Sequence, residues 1–547
     1  MFRHAILLGV IISASATAAD PPHAKMVPND EQDLIFFQAS RPYRLRLHLQ
    51  IEGRSYDAHW NEVMKHLFQF LDIDGDGRLS AAELEHAPSV TQLKQMIEGI
   101  TDLEADEPPK MSDLTSHPKS GVTLEQLQGY YHRVGAAPWQ VDWVARTSDT
   151  NVMDDVICQH LGAKGDRLMR EQLQKAADKL FKLDTDGDGI LTLFEVFSSG
   201  YTGNFNLHGT LEKKGLPFFL LDRSDHGREL LAAEIVARYD RNKDGKLTPD
   251  EIAFPGELFR ALCGSPKGPL TAKQLEFWPQ QAVDLECIVR LDGGGSEGIQ
   301  IVSGAASSLN GAAKITRTGL VRIKLPQERV EIVRLDTAPQ RAQRLRQAGM
   351  QLFDSLAQGK DSLESRDIFK PPFSLVPVFR LADHNGDNRL TRTEFQQFLD
   401  LQQRLVTRST ILTLMDRGHS LFDFLDADHD HRLSQRELMT AWDRLSPWAD
   451  SKTQSIERAK IPRQYQIVIS HGKPPQMNGD PGAASALRPE SRLRGPLWFR
   501  KMDRNADGDL SRAEFLGTEA QFRKLDRNGD GLIDLEEAEA AEREKKK

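Results

Sequence analysis

Cysteine is nearly absent from this sequence, which has Cys158, Cys263 and Cys287 in a chain of 547 residues. An odd count leaves at least one cysteine unpaired within the chain, and so few cysteines exclude a disulfide framework as the main source of stability. A disulfide between Cys263 and Cys287 stays open, because spacing along the chain does not decide it.

Long apolar runs are also missing. No segment of the sequence reaches the roughly 18 uninterrupted apolar residues typical of a membrane-spanning helix, so we expect no membrane span. The sequence has neither the H-E-x-x-H pattern of zinc proteases nor the G-x-x-x-x-G-K-[ST] pattern of phosphate-binding loops. It lacks a basic patch interleaved with aromatic residues, which argues against nucleic acid as a partner.

One catalytic pattern is present by its letters alone. Gly294–Gly298 fits G-x-S-x-G, which presents a nucleophilic serine when it joins a strand to a helix. Here a second strand is predicted to follow instead of a helix. We therefore expect a glycine-rich hairpin loop, and a hydrolase is the least favoured function.

The N-terminus has the pattern of a secretory signal peptide. Arg3 and His4 precede the apolar run Ala5–Ile12, and small residues follow as far as Ala18 and Ala19. We expect cleavage near this point, which makes residues 1–19 a signal peptide and the mature protein secreted or periplasmic.

The segment Asp184–Glu195 has the residue spacing of a metal-binding loop. Carboxylates stand at positions one, three and five, and Glu195 stands at position twelve. Ca²⁺ takes six to eight oxygen ligands at roughly 2.3–2.6 Å, and these side chains supply them together with the backbone carbonyl of Ile190 at position seven. Gly189 at position six permits the positive φ of a sharp turn.

Six further segments repeat this spacing. Each begins with Asp, ends with Glu and has Leu or Ile at position eight, an apolar residue that metal binding does not require. Asn388 and His431 replace Gly at position six in two loops, where we expect weaker binding, although both residue types are enriched at positive φ. The six segments are Asp72–Glu83, Asp240–Glu251, Asp383–Glu394, Asp426–Glu437, Asp503–Glu514 and Asp526–Glu537.

The expected ligands occupy positions one, three, five, seven and twelve of all seven loops, with position seven contributing its backbone carbonyl. They are Asp72, Asp74, Asp76, Arg78 and Glu83; Asp184, Asp186, Asp188, Ile190 and Glu195; Asp240, Asn242, Asp244, Lys246 and Glu251; Asp383, Asn385, Asp387, Arg389 and Glu394; Asp426, Asp428, Asp430, Arg432 and Glu437; Asp503, Asn505, Asp507, Asp509 and Glu514; Asp526, Asn528, Asp530, Leu532 and Glu537.

This pattern resembles the EF-hand, a helix–loop–helix calcium motif, and the chain is similar to secreted bacterial proteins with several EF-hands. The resemblance rests on the seven loops and their flanking helices, which make up under half of the chain. It implies Ca²⁺ as the cofactor and pairing of the hands through a short β-bridge at position eight. It implies no particular partner or process.

A single hand exposes an apolar face and usually packs against a second hand, so we expect further hands beyond these seven loops. Four segments have an apolar residue at position eight without the carboxylates, and we expect them to be calcium-free hands: Thr115–Gln126, Leu161–Gln172, Cys263–Gln274 and Leu356–Asp367. In the same order, these segments lie near the loops that begin at Asp72, Asp184, Asp240 and Asp383. Ordinary helix–turn–helix segments are the alternative, and a fifth segment, Asp222–Ala233, fits both interpretations equally.

Short β-branched runs separated by glycine-rich turns predict a small β module. Alternation over Tyr43–Glu52 predicts a further strand with His48 on its surface, and Tyr465–Ser470 is another. We expect these segments and the module to form one sheet.

The predicted fold class is mainly α, with tandem EF-hand pairs and a small antiparallel β module. The expected regions are a signal peptide (1–19), an N-terminal strand segment (20–56), an EF-hand pair with a degenerate second hand (57–140), an EF-hand region with loops at 184 and 240 (141–275), the β-rich module (276–337), an EF-hand region with loops at 383 and 426 (338–460), a strand with a Pro/Gly linker (461–494) and tandem C-terminal hands (495–547).

These patterns favour an exported calcium-binding protein that serves as a calcium-stabilised scaffold, or binds an unidentified protein partner, without catalysis. The alternative is a calcium sensor whose hands open to expose Met-rich grooves. The twelve methionines are not concentrated around the loops, which weighs against a sensor. Without calcium the clustered carboxylates repel one another, so we expect a looser apo protein.

Overall fold

A computed structural model describes most of the chain. The described residues are 30–99, 103–135, 139–145, 149–163, 165–192, 195–196, 217–222, 224–291, 298–302, 308–309, 311–316, 319–325, 327–335, 338–364, 367–370, 373–374, 376–427, 432–471 and 495–545. The predicted signal peptide and most of the Pro/Gly linker lie outside them.

The prediction of a mainly α fold is wrong. Helices make up 44% of the structure and strands 23%, and several sheets have many strands. Two six-stranded sheets dominate, and the strands of the predicted β module are divided between them. Strand pairs within residues 276–337 are antiparallel, but parallel pairs join Leu285–Arg290 to Pro42–Ile51 and Glu328–Leu335 to Arg463–His471, so both sheets are mixed. A β-sandwich therefore stands where a minor module was expected.

The first sheet contains the N-terminal strands. Its order is Ile299–Ile301, Leu285–Arg290, Pro42–Ile51, Glu31–Phe37 and Phe218–Leu220, with Arg54–Ser55 on the edge of Pro42–Ile51. The second sheet has the order Ala313–Ile315, Val321–Lys324, Glu328–Leu335, Arg463–His471, Thr410–Gly418 and Trp139–Ala145. The predicted strand segments thus divide between two sheets and do not form one.

The two sheets pack face to face. Leu47 and Val289 of the first sheet share one apolar core with Ile332 and Ile467 of the second. Phe36 and Tyr465 meet across the sandwich with their ring centroids 5.3 Å apart. Burial of these inward-facing side chains is the main favourable term for the sandwich.

The helices form hands around this sandwich. They span Tyr56–Leu71, Ala81–Leu84, Val90–Glu98, Met111–Leu114, Leu124–Arg133, Asp149–Leu161, Arg170–Gln174, Ala176–Leu180, Asp225–Tyr239, Gly256–Cys263, Ala272–Leu275, Ala338–Ala357, Val376–Ala382, Arg392–Arg408, Leu421–Leu425, Gln435–Met439, Ala441–Leu445, Leu497–Met502, Glu519–Leu525 and Leu535–Lys545. Single 3-10 turns occur at Pro118–Ser120, Phe181–Leu183, Trp278–Gln280, Ser446–Trp448 and Arg458–Lys460.

The first long helix shows why the entering helices form. Ser55 caps Tyr56–Leu71 by accepting the N–H of Ala58 at 3.2 Å. Trp60, Val63 and Met64 then recur at the helical period and are buried with four other residues of this helix. The amphipathic face therefore packs inward and carries the chain to the first loop at Asp72.

Residues at position eight join the hands in pairs, as the EF-hand resemblance implies. The described bridges are Leu79 with Val122, Leu168 with Ile456, Leu191 with Leu433, Leu247 with Leu270, Leu363 with Leu390 and Leu510 with Ile533. The four segments expected to be calcium-free hands all take part. All twelve bridging residues are fully buried, so each pair is held by apolar packing as well as by backbone hydrogen bonds.

Two of these pairings differ from the expected order. The loop at Asp184 pairs with the loop at Asp426 through Ile190–Thr192 and Arg432–Ser434, and not with Leu161–Gln172. Leu161–Gln172 instead pairs with a short strand around Ile456, through Arg167–Met169 and Ser455–Glu457. The remaining short sheets are Ser362–Glu364 with Arg389–Thr391, Lys246–Leu247 with Leu270–Thr271, and Phe369–Lys370 with Phe373–Ser374.

The pairs assemble into larger helical units. Phe68 and Met96 of the first pair share a core with Phe353 and Phe395. The pairs containing Leu168 and Leu191 share a second core. The hands at Asp240 and Asp503 belong to two smaller units with separate cores.

Three further findings concern single features. None of the described helices is long and apolar enough to cross a membrane. Cys158, Cys263 and Cys287 are all free thiols, so the disulfide left open by the sequence is not formed. Asp225–Tyr239 is a helix capped by Ser224, so Asp222–Ala233 is not a loop of a hand.

Candidate metal-binding loops

The loops lie between helix ends. Asp72, Asp240, Asp503 and Asp526 each cap the C-terminus of an entering helix. Position nine then caps the exiting helix, as Ser434 does for Gln435–Met439. This capping box explains why Ser or Thr recurs three residues before the final Glu.

The final Glu connects the two ends of its loop. In the first loop one oxygen of Glu83 accepts the N–H of Ile73 and the other accepts the N–H of Ser80, both at 2.7 Å. Glu195 accepts in the same way from Thr185 and Thr192, at 2.9 Å each. Both oxygens of each carboxylate therefore face the loop interior, which is the arrangement a bidentate ligand needs.

Carboxylates at positions one, three and five fold inward by a repeated set of hydrogen bonds. In the second loop Gly189 donates to Asp184 at 3.0 Å, Asp188 donates to Asp186 at 3.1 Å, and Ile190 donates to Asp188 at 2.8 Å. The loops at Asp240, Asp383, Asp503 and Asp526 show the same three bonds, with Asn at position three. The backbone alone thus brings the side-chain oxygens together.

In two loops the carboxylate oxygens lie close enough together to share one cation. The ligand oxygens of Asp72, Asp74 and Asp76 lie within 4.8 Å of one another, as do those of Asp184, Asp186 and Asp188. In addition, Oδ1 of Asp72 and Oδ1 of Asp383 are buried without a hydrogen-bond partner. A buried acceptor without a donor is costly, and a bound cation would satisfy it.

Backbone conformation at position six agrees with the sequence analysis. Gly77, Gly189 and Gly245 have φ between 77° and 80°. Asn388 takes φ 61° at the same position, as predicted for a residue that tolerates positive φ. His431 lies outside the described residues.

The pKa values of two carboxylates in the second loop shift in opposite directions. Burial and the nearby charges of Asp186 and Asp184 raise the pKa of Asp188. Burial also acts to raise the pKa of Glu195, but hydrogen bonds from Thr192 and Thr185 outweigh it and lower that pKa. A divalent cation at the loop centre would favour the ionised form of both groups.

The loop at Asp503 is more enclosed than the first loop. Burial and the charge of Asp509 raise the pKa of Asp507 well above its ordinary value. Asp503 and Asp509 are both buried, whereas Asp74 and Asp76 in the first loop are exposed. Of the expected ligands of the Asp426 loop, Asp428 and Asp430 lie outside the described residues, while Ala427 donates to Glu437 at 2.6 Å.

The calcium-free hands keep the loop architecture with different end groups. Gln126 takes the place of Glu and accepts the N–H of Thr123 at 2.9 Å. In Leu161–Gln172 the ammonium of Lys179 donates to the Leu161 carbonyl. In Leu356–Asp367 Lys360 pairs with Asp367 at 3.5 Å. None of these segments has the carboxylates at positions one, three and five that a calcium shell needs, which is consistent with hands that pair without metal.

Five segments match the EF hand family, at residues 64–86, 237–253, 375–399, 497–516 and 518–537. Each of these five segments resembles an EF-hand. They contain the loops at Asp72, Asp240, Asp383, Asp503 and Asp526, and together they cover less than half of the sequence. No curated protein and no solved structure matches the chain.

Sequence reasoning missed one strand pairing and misplaced one histidine. The segment around Ile456 has no acidic loop pattern, so only its bridge to Leu168 reveals that it pairs with Leu161–Gln172. His48 is buried, not exposed, and lies between Asp30 at 2.7 Å and Glu286 at 2.8 Å. Ser296 of the G-x-S-x-G pattern lies outside the described residues.

Proposed function

We propose that this protein is an exported calcium-binding scaffold, in which Ca²⁺ at seven loops stabilises the joints between the helical units and the β-sandwich. The buried, unpartnered oxygens of Asp72 and Asp383 are the observation that carries this proposal. They are acceptors in the position of the first ligand, and calcium supplies what they lack.

The position of the loops supports a structural role for the ion. The Asp184 and Asp426 loops pair although the chain between them passes through the β-sandwich. Arg322 of the second sheet also donates to the carbonyl of Ala427, inside the Asp426 loop, at 3.0 Å. An ion that orders this loop therefore also orders contacts between distant parts of the chain.

A scaffold also fits the coverage of the apolar faces. Phe68 of the first hand and Phe395 of the Asp383 hand are buried in one common core. A sensor instead exposes an apolar groove when calcium opens its hands. Opening these hands would break a core that two pairs share, which favours the scaffold over the sensor.

Export is part of the proposal and rests on the N-terminal sequence. Extracellular EF-hand modules bind calcium at roughly 10⁻⁴–10⁻³ M, and extracellular calcium is high enough to keep such sites filled. Expression of the full chain in a secreting host, with mass analysis of the product, should show cleavage near Ala18. Full-length protein retained in the cytoplasm would contradict export.

Calorimetric titration of the chelator-stripped protein tests calcium binding. We expect about seven sites, one for each loop with an acidic shell. Circular dichroism of the same samples should show a gain in ordered structure with calcium. Sites that leave the fold unchanged but increase the binding of an apolar dye would favour the sensor, and an absence of sites would contradict the proposal.

A further inference from the structure

The two C-terminal hands form a packing unit of their own. This unit, the C-terminal pair (residues 497–545), has an apolar core that contains Phe499, Leu510, Phe522 and Ile533. Among the described residues, no side chain from outside the pair joins this core. The pair is therefore held to the rest of the molecule by contacts other than a common apolar core.

Those contacts are made loop against loop. We call the Asp184 and Asp426 hands the inner pair. Arg436 of the inner pair donates from Nε to Asp509 at 2.6 Å and from Nη1 to Asp530 at 2.9 Å. One guanidinium thus holds a carboxylate from each of the two C-terminal loops.

Asn505 makes the second set of contacts. The side-chain amide of Asn505 donates to the backbone carbonyl of Asp188 at 3.1 Å. The backbone carbonyl of Asn505 accepts from the guanidinium of Arg432, also at 3.1 Å. A Cβ added at Gly189 would lie 3.4 Å from the Asn505 side chain, so the two loops approach closely. Asn505 and Asp188 are both expected calcium ligands, which places the docking contacts on the metal-binding loops themselves.

The docked Asp503 loop is largely buried. Asp503 and Asp509 are buried, and Asp507 is half-buried beside them. Enclosing several carboxylates against one arginine is unfavourable, because each buried charge loses its hydration. A divalent cation in the Asp503 loop removes most of that cost.

We infer that calcium in the Asp503 loop controls docking of the C-terminal pair on the inner pair. The loaded pair docks, and the calcium-free pair separates because its carboxylates repel one another. Arg436 is a positioning residue that sets the register of the two pairs. By thermodynamic linkage, docking raises the calcium affinity of this loop by the same factor as calcium favours docking. The inference rests on the proposed calcium binding.

A distance measurement on the full chain tests this inference. Spin labels are placed at Glu171→Cys and Arg523→Cys, whose native side chains are 78% and 76% exposed, with Cys263 replaced by Ser. Cys158 and Cys287 are buried and can remain. We expect one narrow distance distribution in saturating calcium and a broad, longer one in chelator.

Two matched variants separate docking from binding. Glu514→Gln and Glu251→Gln each remove the last ligand of one loop, and of these two loops the Asp503 loop lies in the contact and the Asp240 loop does not take part in these bonds. Both should lose one calcium site by calorimetry, and only Glu514→Gln should broaden the distance in calcium. Arg436→Gln should keep the site count and lower the docked-to-undocked ratio about tenfold.

The outcomes distinguish the two proposals. A normal site count with the same distance in calcium and chelator overturns calcium control of docking and leaves calcium binding intact. The same conclusion follows if Glu514→Gln and Glu251→Gln give the same distance distribution. Failure to bind calcium at all overturns both.

Discussion

At the scale of single residues, the final Glu of each loop serves two purposes. Glu83 accepts backbone N–H groups from both ends of its loop and also closes the capping box of the exiting helix. Gln126 makes the same helix-cap bond in a calcium-free hand. The cap therefore needs an oxygen acceptor, whereas the proposed calcium site needs a charged, bidentate one.

This difference makes Gln a selective substitution. Glu83→Gln and Glu195→Gln should each remove one calcium site by calorimetry and retain the helix by circular dichroism, because Gln still accepts the capping bond. Glu85→Gln is the matched control, since Glu85 is exposed and next to the first loop. An unchanged site count in both loop variants would show that these residues are not ligands.

Position six of the Asp383 loop gives a second prediction. Asn388 has φ 61°, a conformation that costs a β-branched residue roughly 1–2 kcal/mol. Asn388→Val should therefore weaken calcium binding at this loop by about tenfold, and Asn388→Gly should bind at least as tightly as the native chain. Calcium titration of the two variants measures the affinity of this loop. An equal loss of calcium affinity in both variants would contradict the prediction.

His471 gives a prediction about pH. Burial lowers its pKa from 6.5 to about 4, and its Nδ1 lies 3.2 Å from the Ser409 carbonyl. The folded protein keeps this histidine neutral, whereas the unfolded chain takes up a proton below about pH 6.5. The free energy of unfolding should therefore fall by about 2 kcal/mol between pH 7 and pH 5 because of this group.

Urea unfolding in saturating calcium measures that loss. His471→Gln should reduce the pH dependence by the same amount. His226→Gln is the control, because His226 is 76% exposed and should leave the dependence unchanged. Equal pH dependence in His471→Gln and the native protein would contradict the assignment.

At the scale of elements, the sequence pattern locates the hands, but it predicts which two hands pair only when the partners are close together in the chain. Leu247 meets Leu270, and Leu510 meets Ile533, as the spacing suggested. Leu191 instead meets Leu433, because every hand has a similar residue at position eight and that residue does not encode its partner. The choice between such partners is made by packing in the shared core.

The strands show a similar limit. Thr410–Gly418 lies inside a region predicted to be helix and loop, although it is a strand of the second sheet. Ile411 packs against the helices while Leu412 packs in the sandwich, so both faces are apolar and the alternation that marks a strand is lost. Tyr43–Glu52 was recognised because polar Arg44 and Arg46 alternate with Leu45 and Leu47.

The bridge between the Asp184 and Asp426 loops predicts a stability effect. Leu433 is fully buried in this bridge, so Leu433→Ala should lower the free energy of unfolding by about 2–5 kcal/mol. Leu516→Ala removes the same atoms from a side chain that is 82% exposed, and it should change stability by less than about 0.5 kcal/mol. Denaturant unfolding in calcium compares the two variants, and similar losses would contradict the role of the bridge.

At the scale of the whole molecule, the β-sandwich joins helical units whose hands come from distant parts of the chain. In the chain, the sandwich strands Leu285–Arg290 and Glu328–Leu335 lie between Leu168 and its partner Ile456, and between Leu191 and its partner Leu433. The proposed calcium sites of the Asp184 and Asp426 loops therefore join segments that are far apart in the chain. This arrangement follows from tertiary packing, which local sequence patterns do not encode.

Calorimetric unfolding of the full chain across a range of free calcium tests the scaffold most directly. Each filled site adds about 2.7 kcal/mol to the free energy of unfolding at a hundredfold excess of calcium over Kd. We expect the unfolding temperature to rise steadily with calcium and the stripped protein to unfold over a broad, low-temperature range. An unfolding temperature that does not depend on calcium would contradict the account.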